Sequence, residues 1–253
     1  MEALLIRERY KVISVLYAEQ DYAALQAVDI QDREKTTCLL NVYEGDLLKP
    51  YLRCFYELRN CSDYQEMFVW ENHLVTVFSY REGMNIDQVF YRGAQLDWQL
   101  RLAVAQTLFH QALATWDYPP EISCAALLSE NIQILQDEQL MAVNYAVRPL
   151  GELDRRELLL LLADQVKKVL IERWDSPLEE RQFVRELCRG AETSAVAVYG
   201  KWAAAEPVIR EAYEKIEQKP TLSRGLYLVF LNAKDWFKQR MAKRKEQKGG
   251  RAQ

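Results

Sequence analysis

The sequence predicts an α+β fold in two lobes, a small β-rich lobe followed by a larger helical one. Two patterns predict it. Alternating apolar residues that mark strands gather in the first 80 residues, and beyond Leu96 apolar residues recur at helical spacing. The chain has 253 residues, 49% hydrophobic and 28% charged, which is enough apolar material for a real core.

The elements follow in order. Residues 9–16, Arg-Tyr-Lys-Val-Ile-Ser-Val-Leu, alternate in the manner of a strand, and Leu25 to Ile30 reads as a second. A polar turn over residues 31–36 leads to Cys38–Tyr43, whose near-continuous apolar character predicts a buried strand. Leu48, Tyr51, Leu52, Phe55 and Leu58 are spaced for a helix over 48–59. Residues 66–70 and 74–80 read as two more strands around a turn at Glu71-Asn72-His73. A long amphipathic helix runs from Leu96 through Trp116. Short β-like stretches at 132–135 and 140–143 flank a turn at Gln136-Asp137-Glu138-Gln139. After Pro149 the spacing predicts helices over roughly 152–173, 177–189, 193–216 and 222–245.

Composition excludes several classes. The formal net charge of -4 gives no reason to expect nucleic acid as a partner. The five cysteines, Cys38, Cys54, Cys61, Cys124 and Cys188, are odd in number and scattered, so reduced and mostly buried thiols are expected. The two histidines, His73 and His110, share no zinc-type spacing with cysteines or carboxylates, and no metal site is expected. The first residues are charged, without an apolar stretch of signal-peptide length, and the longest apolar runs, 158–163 and 226–231, fall far short of about 20 residues. A cytoplasmic chain is the expectation, with membrane association as the alternative.

The order of strands, helix, strands and helical lobe with a small hairpin inside it resembles a protein kinase. The likeness extends over roughly residues 9–190 and to individual positions. In the slot of the glycine-rich loop stands Leu16-Tyr17-Ala18-Glu19-Gln20-Asp21-Tyr22, which has no glycine and carries two acids where phosphate would lie. In the slot of the phosphate-pairing lysine, Leu39-Leu40-Asn41-Val42 supplies Asn41, which has no charge. Its helix partner, a glutamate in kinases, corresponds to Cys54, with Glu57 as the neighbouring alternative. Residues 77–83, ending in Gly83, resemble the strand entering the hinge between lobes. The catalytic loop corresponds to Cys124-Ala125-Ala126-Leu127-Leu128-Ser129-Glu130-Asn131, where Leu127, Glu130 and Asn131 fit the pattern, Ala126 replaces the catalytic aspartate, and Asn131 is the one retained polar residue of catalytic type. There Asn131 is expected to cap the turn by hydrogen bonding. Asn144-Tyr145-Ala146 stands where a kinase has Asp-Phe-Gly, so Asn144 offers a neutral carbonyl to a hard dication. The segment after it reaches the next helix almost at once.

These five slots, Asn41, Cys54, Ala126, Asn131 and Asn144, imply a pseudokinase with no catalytic, cofactor or metal site. The whole is similar to the kinase-like cytoplasmic domains of bacterial membrane-associated proteins. The expected function is a protein-binding, scaffold or regulatory module. An enzyme with unorthodox nucleotide chemistry, built on Glu19, Asp21 or Glu130 with Asn131 and Asn144, is the rival. The expected organisation is an N-lobe over 1–82, a helical lobe over 83–221, and an amphipathic helix with a basic tail over 222–253.

The last stretch differs from the rest. From Lys234 onward there are eight basic residues against two acidic, a net +6 that leaves -10 for the remainder of the chain. Leu226, Val229, Phe230, Ala233, Trp236, Phe237 and Met241 precede or accompany them at helical spacing. Docking of this apolar face on the helical lobe, with a solvated basic end, is the favoured expectation. Contact with an anionic membrane surface through residues 222–253 is the alternative. Nucleic acid is not expected, because no base-stacking platform accompanies the charge. The six tryptophans are expected mostly in cores.

Overall fold

The computed structural model describes residues 4–91, 93–136, 139–151, 154–170 and 172–249, with the side chains of 221, 222, 237–239 and 242–249 left aside. The expected α+β architecture of two lobes is found. The first lobe is an antiparallel sheet of six strands in the order β1-β2-β3-β4-β6-β5. They are β1 (Leu5–Ile6), β2 (Tyr10–Glu19), β3 (Tyr22–Asp29), β4 (Thr37–Tyr43), β5 (Tyr64–Trp70) and β6 (His73–Ser79), with helix α1 (Leu48–Glu57) between β4 and β5. The central strands β3, β4 and β6 carry the near-continuous apolar runs that two-sided burial demands.

One face of the sheet packs Leu25, Leu40, Val75 and Val77 with Tyr10 and Ile6. The other face packs Leu39, Tyr43 and Phe78 against Tyr51 and Phe55 of α1. This second cluster does not stop at the lobe boundary. It continues into Ile122, Ala125, Ala126, Val143, Tyr145 and Val147, so apolar packing runs unbroken from one lobe to the next.

Residues 80–83 cross between the lobes. A three-stranded antiparallel sheet follows, β7 (Met84–Asn85), β8 (Ile132–Ile134) and β9 (Met141–Val143), with α2 (Ile86–Val89) after β7. The expected turn between β8 and β9 includes residues 137 and 138, which lie outside the described residues. Helices α3 (Trp98–Ala114), α4 (Pro120–Ala125), α5 (Arg155–Val169), α6 (Leu178–Leu187) and α7 (Ala195–Glu217) surround a large core that includes Phe109, Phe183 and Trp202. The expected start of α5 at residues 152 and 153 also lies outside the described residues. Within this lobe Arg101 and Glu180 form a buried pair at 3.4 Å. The Tyr213 hydroxyl donates to Glu180 at 2.7 Å, and its ring stacks on Trp98 at 5.0 Å. Burying two charges is tolerable only with such added hydrogen bonds.

The last helix, α8 (Thr221–Gly249), departs from expectation in which face it docks. Its polar side is held. Arg185 donates through both terminal nitrogens to the Asp235 carboxylate at 2.9 and 2.8 Å, Arg181 donates to Asn232 at 2.8 Å, and Asn232 donates to the Trp174 carbonyl at 2.7 Å. Leu228 is buried beside them, while Leu226, Val229, Phe230, Trp236 and Met241 remain exposed. The apolar stripe therefore does not dock on the helical lobe as expected. A bidentate arginine–carboxylate pair fixes the orientation instead. Phe237 of that stripe lies outside the described side chains. Trp174 and Trp236 likewise lie on the surface rather than in a core.

The five cysteines are free, with Cys38, Cys54 and Cys124 buried and Cys188 exposed. Gly83 marks the crossing between lobes because a Cβ there would lie 3.0 Å from Gln133 Cβ, from the Ile134 carbonyl oxygen and from Leu135 Cδ2. Two of these atoms belong to the backbone or root of β8 and have little room to move. Gly83→Ala is expected to destabilise the fold by about 1–3 kcal/mol through overpacking, read from the urea midpoint of the full chain.

Candidate functional site

The site to examine is the cleft between lobes, where the sequence places its degenerate slots. Asn41 lies on β4 in the middle of the sheet and is fully buried. Its amide is completely used. Nδ2 donates to the Tyr145 carbonyl at 3.0 Å and to Thr76 Oγ1 at 3.3 Å. Oδ1 accepts from the Val147 N–H at 2.9 Å and from the Tyr22 hydroxyl at 2.8 Å. A planar amide with two donors and two lone pairs can satisfy all four partners, and an ammonium group, which only donates, could not. Asn41 therefore joins β3, β4 and β6 to the segment 145–147 of the other lobe.

Aromatic residues extend this junction. Tyr43 donates to the Val147 carbonyl at 2.7 Å and stacks on Tyr51 at 4.2 Å. Tyr51 in turn donates to the Arg148 carbonyl at 3.4 Å. Tyr145 stacks on Phe78 of β6 at 5.2 Å. Its hydroxyl accepts from Gln111 of α3 at 2.9 Å.

Asn144 lies at the end of β9 and turns its amide toward the crossing segment. The Arg81 N–H donates to Asn144 Oδ1 at 2.8 Å, and Asn144 Nδ2 donates to the Arg81 carbonyl at 2.9 Å. One side chain thus occupies both the donor and the acceptor of the hinge backbone. The donor–acceptor edge of a nucleobase would need groups of this same kind.

Ala126 is fully buried within the apolar cluster that joins the lobes. Its flanking residues Leu127 and Leu128 pack into the helical core. Asn131 caps its turn as expected, donating to the Ala125 carbonyl at 2.8 Å and to the Ala146 carbonyl at 3.1 Å. Cys54 is buried on α1 with Glu121 as its polar neighbour, Sγ to Oε2 at 3.7 Å. Burial beside that carboxylate pushes its thiol far up. Glu57, the alternative at this slot, is on the surface and accepts from Arg53 at 3.0 Å. The structure thus brings Asn41, Ala126 and Asn131 around residues 144–147, and places Cys54 in the same apolar cluster as Ala126, with Glu121 as its polar partner.

The stretch read as a glycine-free loop is not a loop. β2 continues to Glu19, and Glu19 pairs directly with Tyr22 across a tight turn at Gln20-Asp21. Tyr17 donates to Glu19. Arg148 sits over the Tyr17 ring at 5.9 Å and pairs with Glu130 at 3.1 Å. What remains open is a cavity of about 250 Å³ lined by Tyr17, Tyr22, Tyr80, Glu130, Gln133 and Arg148, among others.

These residues do not fit a magnesium nucleotide. The cavity lies below the roughly 300–1,000 Å³ of ordinary ligand pockets. Its carboxylate, Glu130, is held by Arg148. The N–H and carbonyl of Arg81 are taken by Asn144. The tyrosines and Arg148 that shape the cavity were not singled out from the sequence, although so many tyrosines in a β-rich half are a signal, since buried hydroxyls need partners.

The sequence matches no family profile and no curated protein. Solved structures do match. The kinase domain of Mycobacterium tuberculosis PknI aligns at TM-score 0.54 and 10% identity over 80% of this chain and 98% of its own. Rad53 1–466 in complex with AMP-PNP aligns at TM-score 0.52 and 14% identity, over 77% of this chain and 65% of that one. The apo GRMZM2G135359 pseudokinase aligns at TM-score 0.50 and 14% identity, over 79% and 93%. The chain has the protein-kinase fold.

Two outcomes follow from the junction. Asn41→Leu strands the Val147 N–H, the Tyr145 carbonyl and the Tyr22 hydroxyl, and is expected to cost about 2–4 kcal/mol in urea unfolding. The buried phenols of Tyr22, Tyr43, Tyr51 and Tyr145 are all pushed up by desolvation, and the Cys124 thiol is pushed up to about 11. Unfolded, these groups release protons near about 8.5 for cysteine and about 10 for tyrosine. Raised folded values mean that the stability is fully present below about pH 8.5 and falls as pH rises beyond it. Urea midpoints are expected to be flat from pH 7 to about 8 and to drop steadily toward pH 10.5.

Proposed function

We propose that this kinase-fold chain transfers no phosphate and serves as a protein-binding module, a pseudokinase in scaffold or regulatory use. The observation that carries the reading is the Asn144 amide, which holds both the N–H and the carbonyl of Arg81. Three further features support it. Asn41 offers no cation, Ala126 offers no base, and Asn131 is engaged with two carbonyls. Lysine, catalytic aspartate and metal-holding aspartate act as a unit in phosphoryl transfer, so losing all three removes the rate advantage together.

A groove on the helical lobe supports the reading. Between α6 and α7 it encloses about 370 Å³, with Phe183, Leu187, Val198 and Ile209 apolar in its lining, Glu179 and Glu186 exposed, and exposed Lys201 paired with Glu192. An apolar lining whose unpaired charges are acidic suits an amphipathic helix that is basic along its flanks. The proposed partner is a protein segment of that kind.

A thermal-shift titration with ATP tests the reading. A ligand specific for the folded state adds about 2.7 kcal/mol at a hundredfold excess over its dissociation constant. No rise in melting temperature is expected at millimolar ATP, with or without magnesium or manganese. A metal-dependent rise would overturn the reading and reopen nucleotide chemistry.

A further inference from the structure

Helix α8 is amphipathic in an unusual sense, because its polar side faces the protein. Leu228, Asn232 and Asp235 are turned inward, where Asp235 takes the bidentate contact from Arg185 and Asn232 takes Arg181. At roughly 100° per residue, Leu226, Phe230 and Met241 fall within about 60° of one another on the opposite side. Their exposures are 75%, 62% and 56%. Val229 at 61% and Trp236 at 52% widen the stripe. Trp174, which the Asn232 contact ties to α8, is itself 60% exposed. Single exposed apolar residues are normal, but a continuous helical stripe with tryptophans beside it marks a contact surface.

Charge says what the surface meets. Exposed Lys234 borders the stripe and exposed Arg240 falls within it, where its guanidinium stacks over Trp236 at 5.0 Å. From Lys234 onward the sequence carries a net +6, against -10 for the remainder. One of its two acids, Asp235, is already neutralised inside by Arg185 and Arg181. The basic charge of the sequence is thus gathered in the same C-terminal stretch as the exposed apolar stripe. Among the described residues no helix is long and apolar enough to cross a membrane. A stripe that lies in an interface plane needs no such length.

We propose that the outward face of α8 docks on an anionic lipid bilayer. Phe230, Leu226, Val229, Trp236 and Met241 enter the boundary between headgroups and acyl chains, and the basic residues pair with lipid phosphates and carboxylates. Arg185 and Asp235 set the angle at which the body of the protein stands on the surface, with its acidic remainder turned away. This arrangement does not depend on the state of the cleft between lobes.

Flotation of the full chain with vesicles tests the proposal. Phosphatidylcholine vesicles containing roughly 30% phosphatidylserine are compared with phosphatidylcholine alone. The double variant L226D/F230D, whose sites are on the surface, is compared with the native chain after its melting temperature has been matched. The native chain is expected to float with the anionic vesicles at least tenfold more than with neutral ones. Either the double variant or about 1 M salt should remove that excess, since the screening length falls to about 3 Å. Absence of flotation on anionic vesicles overturns the proposal, as does equal flotation on neutral ones. Sedimentation analysis run in parallel covers the other occupant. A dimer lost in L226D/F230D, without flotation of the native chain, assigns the stripe to a second copy and overturns the bilayer.

Discussion

The buried amide of Asn41 is the constraint on which the arrangement of the two lobes depends. It stands in the centre of the sheet with no access to water, so each of its hydrogen-bonding groups must find a protein partner or cost about 1–3 kcal/mol. All four do, and two of the partners, the Tyr145 carbonyl and the Val147 N–H, belong to the other lobe. A neutral residue here needs no counter-ion where the lobes meet. The aromatic cluster then forms around that closure. Phe78 meets Tyr145, Tyr43 reaches Val147, and Ala126 is small enough to lie inside the apolar contact. Restoring a carboxylate at Ala126 would place a charge in that cluster with no partner, a change expected to be costly.

The same economy recurs at the crossing segment. Where a strand ends and the chain passes between lobes, backbone N–H and carbonyl groups are left without ladder partners. At Arg81 both are satisfied by one Asn144 side chain. Gly83 permits the close approach to β8 that follows. The proposed loss of nucleotide chemistry and the stability of the junction thus come from the same substitutions. In the proposed reading, amides and small residues that serve the closed fold stand where charges would serve a triphosphate. Far from this cleft, Asp235 plays a comparable part for α8, where one well-paired carboxylate decides which face of a long helix meets the protein.

Most of the regular elements were legible in the sequence because one face of each is apolar at a fixed period. The strands at Thr37–Tyr43 and His73–Ser79 and the helix Trp98–Ala114 announce themselves this way. The short elements β1, β7, α2 and α4 did not, since two to six residues carry no period; β7, for example, forms only because β8, nearly 50 positions on, receives it. The slots of the cleft were readable as residue types, but not their partners. The Asn144 contact with Arg81 spans 63 positions, and the Asn41 contact with Tyr145 spans 104. The hairpin at Gln20-Asp21 looked like a loop because its strand residues Tyr17 and Ala18 sit in mostly exposed surroundings. For α8 the periodicity was correct and the docking face was not, because apolar spacing alone does not reveal a buried arginine–carboxylate pair.

The junction between the lobes stays closed unless the whole protein unfolds. Native-state hydrogen exchange of the Val147 and Arg81 amides tests it most directly, because these two protons are held by Asn41 and Asn144. Both are expected to exchange only through global unfolding, with protection matching that of the central strand β4 and unchanged by millimolar magnesium-ATP. Exchange of the two amides through a smaller opening, with protection that shifts when nucleotide is added, would contradict it.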